Sequence, residues 1–137
     1  MGAFRGFTAG PSTLIGVGLL LSTPAGAFDL TGAWASDAGQ CSQVFKKKGK
    51  TITFAELSDL HGSGFIAEGN RLRGKTARCT VKSRKEDGGT LNLLAACSTD
   101  IMLSTVQFSL KIVDDNSISR IFPGMQGMEI NYYRCNL

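Results

Sequence analysis

Beyond residue 28, apolar and polar residues alternate with a period of two along most of the chain, the pattern of strands with one buried face. The clearest case runs from Thr105 to Ile112. Val106, Phe108, Leu110 and Ile112 share one face, and Thr105, Gln107, Ser109 and Lys111 share the other. The same reasoning predicts strands at Phe28 to Ala35, Thr51 to Ala55, Ile118 to Phe122 and Glu129 to Cys135, and a short hairpin of Phe65-Ile66-Ala67 with Arg71-Leu72-Arg73 across Glu68-Gly69-Asn70. Residues 38–48 lack the period and are expected to hold one helical turn carrying Cys41, Val44 and Phe45. Asp59 to Gly64, Asp114 to Asn116 and Pro123 to Gly127 read as turns or loops.

The stretch from Thr76 to Thr99 reads as a hairpin with a cysteine in each arm. Asp87-Gly88-Gly89 supplies a three-residue loop, because glycine takes the positive φ such a loop requires. Pairing Glu86 with Thr90 across it opposes Val81 to Ala95 and Cys79 to Cys97. Opposed residues of an antiparallel pair lie roughly 4.5–5.5 Å apart at Cα, within disulfide range. If Cys79 joins Cys97, Cys41 is left for Cys135; the rival connectivity is Cys41–Cys79 with Cys97–Cys135.

About eight short strands at spacings near ten residues, joined by tight turns, predict an all-β fold: a small antiparallel up-and-down barrel. Phe54, Phe65, Val106, Phe108, Leu110, Ile130 and Tyr132 are expected to face inward, and so many large side chains in so small a domain favour a filled interior over a ligand cup.

Residues 1–27 read as an export signal: Arg5 is its positive charge, Leu14 to Leu21 its apolar run, and Ala25-Gly26-Ala27 its small-residue cleavage stretch. Residues 28–137 then form a single small domain, periplasmic or secreted, with no transmembrane span. Of the 15 Lys+Arg only Arg5 falls in the leader, leaving 14 against 11 Asp+Glu, a net charge of +3 that says little about partners. The even count of 4 cysteines, all past residue 27, suits disulfides in an oxidising compartment.

Leu30-Thr31-Gly32-Ala33-Trp34 resembles the Gly-x-Trp opening of lipocalin and calycin barrels. The chain also resembles small exported barrels of Gram-negative bacteria that inhibit proteases or lysozymes, and small exported proteins of soil alphaproteobacteria. In calycins the tryptophan closes one barrel end beneath a basic residue from a late strand; the resemblance implies that role for Trp34 with Arg134. A mature chain this short departs from lipocalins with a deep cup.

Candidate chemistry is sparse. His61 is the only imidazole, no C-x-x-C pair accompanies it, and Ser63 lies in no nucleophile elbow, so neither catalysis, metal nor cofactor is expected. Arg78, Lys82 and Arg84 would share the outward face of their arm, a stripe able to meet an anionic surface or simply a solvated face. No aromatics interleave the basic residues, which argues against nucleic acid. His61, Phe122, Met125 and Met128 sit in loops suited to contact. The function expected is therefore a monomeric, non-enzymatic binding module, an inhibitor of an exported hydrolase acting through loops at one barrel end. The alternative is a small carrier of an apolar or amphipathic ligand, and a continuous internal cavity would favour it.

Overall fold

The computed structural model describes residues 2, 6, 10–18 and 27–137. Most of the expected leader, including Arg5, Ala25 and Gly26, lies outside the described residues. The fold is all-β: a closed antiparallel barrel of eight strands plus a two-stranded hairpin. In chain order the strands are β1 (Gly32–Ala35), β2 (Phe45–Lys48), β3 (Thr51–Phe54), β4 (Gly64–Glu68), β5 (Arg71–Arg73), β6 (Arg78–Asp87), β7 (Thr90–Ser98), β8 (Leu103–Asp114), β9 (Ser117–Ile121) and β10 (Glu129–Arg134). β4 to β10 form a meander, and β1 closes it by pairing with both β4 and β10. Among the described residues the one α-helical turn, α1 (Cys41–Val44), is short, and no helix is long and apolar enough to cross a membrane.

Both disulfides are those of the preferred connectivity. Cys79 opposes Cys97 with Cα atoms 4.0 Å apart, and Cys41 joins Cys135 at 5.6 Å. The hairpin carrying Cys79 and Cys97 departs from expectation in two compensating ways. Its loop is only Gly88-Gly89, both at positive φ, so Asp87 faces Thr90 and Glu86 faces Leu91. A bulge at Lys82 then adds one residue to β6 and restores the opposition of Val81 to Ala95.

That bulge breaks the expected basic stripe. Opposed residues lie on one side of a sheet, so Arg84, facing the buried Leu93, belongs to the interior side, while Arg78, facing Ser98, stays outside. Arg84 reaches over the barrel end and donates to the Phe28 carbonyl; Glu86, two residues on, accepts from the Phe28 amide at 3.3 Å.

β1 is buried on both faces. Trp34 points into the barrel, whereas Ala33 and Ala35 join a second core outside it with Val44, Phe45 and Ile66. The expected inward position of Phe54 is therefore corrected. With Ile52 it packs into this outer core from the β2–β3 hairpin, which never enters the barrel. Gly64 permits the close approach, because a Cβ there would stand 2.6 Å from the Trp34 carbonyl oxygen and 2.9 Å from the Phe45 ring. The first strand is also shorter than expected: residues 28–31 leave the sheet and fold over one end of the barrel, where Leu30 is buried against Trp34.

Candidate functional site

The two barrel ends differ. At the end where β1 begins, the connections are tight (Gly69-Asn70, Gly88-Gly89, Asp115-Asn116) and residues 28–31 form a plug. Trp34, fully buried, donates from Nε1 to the Leu30 carbonyl at 2.8 Å. Arg134 lies over its ring, 4.4 Å from Cζ to centroid, and donates to the carbonyls of Thr31, of Asp29 at 2.6 Å and of Asp115 at 3.0 Å. Gly32 makes room for this: its φ is +135°, and a Cβ there would meet Arg134 Nη1 at 3.2 Å. The Asp29 carboxyl is held below the usual carboxylate range, chiefly by the Thr31 backbone N–H and hydroxyl, with smaller help from Arg134 and Arg84. This is the geometry the calycin resemblance implied for Trp34 and Arg134.

The other end is open. A cavity of about 350 Å³ runs from the mouth loops around Gly74, Ala77 and Thr99 down to Phe65 and Tyr132. The inward residues of β7 show why it exists. Leu91 and Leu93 fill the closed half, but Ala95 and Cys97 follow them toward the mouth, and across the barrel the wall is thin at Gly64, Gly74 and Ala77. Below the cavity the interior is solid: Phe65 stacks on Trp34 at 6.2 Å and 10°, and meets Tyr132 edge-on at 5.1 Å. The expectation of a filled interior thus holds for the closed half and fails for the open half.

Among the described residues one charged side chain stands on the cavity wall. Arg120 faces Leu110 and Ile130 across its neighbouring strands, both inward positions, and its guanidinium lies between two phenylalanine rings, 4.6 Å from the Phe108 centroid and 4.7 Å from that of Phe122. Its Nε is buried and has no hydrogen-bond partner, and among the described residues Arg120 enters no ion pair. Each cation–π contact offsets about 0.5–2 kcal/mol, yet a buried unpaired donor costs about 1–3 kcal/mol. Glu129 on the adjacent strand is turned away, accepting from Ser119 Oγ at 3.1 Å. Sequence reasoning missed Arg120, though a signal was present: it shares the parity of Ile118 and Phe122 on a strand whose other inward positions are apolar.

The residues singled out as contact candidates gather at this mouth. His61 ends a 3-10 turn (Ser58–His61) just before β4, and Phe122, Met125 and Met128 lie in the β9–β10 connection. Exposed apolar residues ring the same end: Leu57 and Leu60 beside His61, Ile101 and Met102 between β7 and β8, Leu103 at the start of β8, and Met125 and Met128. Lys75 and Asp59 pair across this rim, and the bond holds the Asp59 carboxyl below its ordinary range. Arg78 lies elsewhere, on the outer wall with Lys50, Arg71 and Arg73, and Lys82 is exposed at the bulge. No three acidic, histidine or cysteine residues cluster as metal ligands among the described residues. No protein-family model, curated protein or solved structure matches this chain.

Proposed function

We propose that this protein is an exported, non-enzymatic carrier that takes one small apolar or amphipathic molecule into the open half of a calycin-like barrel. The observation that carries the reading is the hollow mouth half: a cavity of about 350 Å³ over an aromatic floor. Cavities of roughly 300–1,000 Å³ are those that enclose small ligands. A barrel plugged at one end and open at the other also gives such a molecule a single way in. Two formed disulfides support a site of action outside the reducing cytoplasm.

The test is to fill the cup. Val106 lines it on β8 and is only half-buried, so Val106→Trp places an indole where the ligand would lie. A naphthylamine probe should bind the unaltered protein with a blue-shifted emission and lose at least ~10-fold in affinity to Val106→Trp. Equal binding by both proteins, with the variant folded, would remove the carrier reading.

A second reading draws on the apolar rim. Exposed apolar residues on loops around one end of a rigid barrel suit contact with a protein target, such as an exported hydrolase that the loops would block. Met125→Asp with Met128→Asp would then abolish inhibition of that hydrolase while leaving probe binding in the cup unchanged.

A further inference from the structure

A cup that takes an apolar body leaves the head group of its ligand open. Resting on the carrier reading, we infer that the molecule carried is an amphiphile ending in one planar carboxylate, which Arg120 receives near the mouth while the apolar body lies deeper, toward Phe65 and Tyr132.

A guanidinium on a cavity wall whose Nε is buried, as that of the half-buried Arg120 is, is ordinarily matched by a carboxylate or by carbonyl oxygens. Arg134, at the closed end of the same barrel, has three backbone carbonyls. Among the described residues Arg120 has none, and no Asp or Glu lines the cavity. Its two rings satisfy only the faces of the guanidinium: Phe108 and Phe122 both sit within 4.7 Å of Cζ. An incoming anion therefore meets the group through its in-plane N–H donors, the geometry in which a planar carboxylate binds through two parallel hydrogen bonds.

Position points the same way. β9 runs from the closed end to the mouth, and Arg120 is its penultimate residue. The remaining wall (Leu72, Val106, Leu110, Tyr132 and the Cys79–Cys97 bridge) is largely apolar. One cation near the rim over an apolar well describes the negative image of a single-headed anionic amphiphile. A neutral ligand would leave the guanidinium unpaired, and a cationic one would be repelled by it.

Three probes with the same twelve-carbon chain test this: dodecanoate, dodecanol and dodecyltrimethylammonium, titrated by calorimetry into the unaltered protein and into Arg120→Gln. Lys111→Gln, on the outward face of β8, serves as the charge control, and circular dichroism checks folding. Dodecanoate is expected to bind at least about tenfold more tightly than dodecanol, with the ammonium compound weakest. In Arg120→Gln the preference for dodecanoate should vanish while dodecanol affinity stays within about twofold; Lys111→Gln should keep the preference. Equal binding of dodecanoate and dodecanol, or a preference that survives Arg120→Gln, overturns the head-group assignment and leaves the cup standing. Binding of none of the three overturns both.

Discussion

Trp34 and Arg134 are direct cross-strand partners on β1 and β10, and the Arg134 guanidinium carbon lies 4.4 Å from the Trp34 ring centroid. The pair ties two separate pieces of chain, the plug and the β8–β9 turn, to one barrel end. Arg134 holds residues 29–31 and the β8–β9 turn through their carbonyls, and Trp34 holds Leu30. Closure of this end is what turns a hollow barrel into a cup.

Trp34→Ala is accordingly expected to cost about 3–5 kcal/mol, the range for deleting a buried aromatic. Arg134→Lys keeps the charge but loses the stacked fork and should cost about 1–3 kcal/mol. Urea titration measures both. A loss below about 1 kcal/mol for Trp34→Ala would mean the indole is not part of the core.

The Gly88-Gly89 turn makes a sharper prediction. Both residues sit at positive φ, 56° and 81°, with open space where a Cβ would stand, so Gly88→Ala and Gly89→Ala should each lose about 1–2 kcal/mol from backbone strain alone. Gly88→Asn should lose less, because asparagine tolerates this conformation. Gly74→Ala, where φ is not positive and the closest contact is an ordinary 3.7 Å, should stay within about 0.5 kcal/mol.

Removal of the two disulfides should differ in size and in place. Chain entropy assigns about 3 kcal/mol to Cys79–Cys97, with its separation of 18 residues, and about 4.7 kcal/mol to Cys41–Cys135, with 94. Paired Cys→Ala variants compared by denaturation check the order. The second bond also anchors the outer core, so in its absence amide exchange should quicken first in β2 and β3, before the barrel strands.

Acid should loosen the plug. The Asp29 carboxyl is lowered in the folded chain, so its contribution is complete above the unfolded aspartate value, about pH 4, and is lost as pH falls through the lower folded value. Asp29 is almost wholly solvated, so the effect is small. Asp29→Asn should melt slightly below the unaltered protein at neutral pH, and the two melting temperatures should converge below about pH 4.

Processing after Ala27 would turn the Phe28 amide, 3.3 Å from Glu86, into an ammonium. A chain beginning at Phe28 should then be more stable than its N-acetylated form by about 0.2–1 kcal/mol, the range of an exposed ion pair. Glu86→Gln should erase that difference.

Short-range order was legible in the chain, because strand alternation and hairpin adjacency are decided between residues close in sequence. Val106 to Ile112 named their own inward face, and two arms folded over glycine brought Cys79 to Cys97. The register between the arms was less secure. A loop shorter by one residue and a bulge at Lys82 cancel at the cysteines but not between the bulge and the turn, which is why Arg84 changed sides.

Other features belong to the tertiary structure alone. Alternation shows that Ile52 and Phe54 have a buried face, but only the closed barrel shows that they are buried against its outside, since the strands they would join are already paired. The hollow mouth depends on small residues contributed by different strands, Gly64, Ala95 and the approaches at Gly74 and Ala77, and no local window contains their sum. Arg120 follows the same rule. Parity alone turns it inward, but whether an inward cation meets a partner or stands unpaired at the wall of a cavity depends on side chains that the sequence places far from it and the barrel brings near.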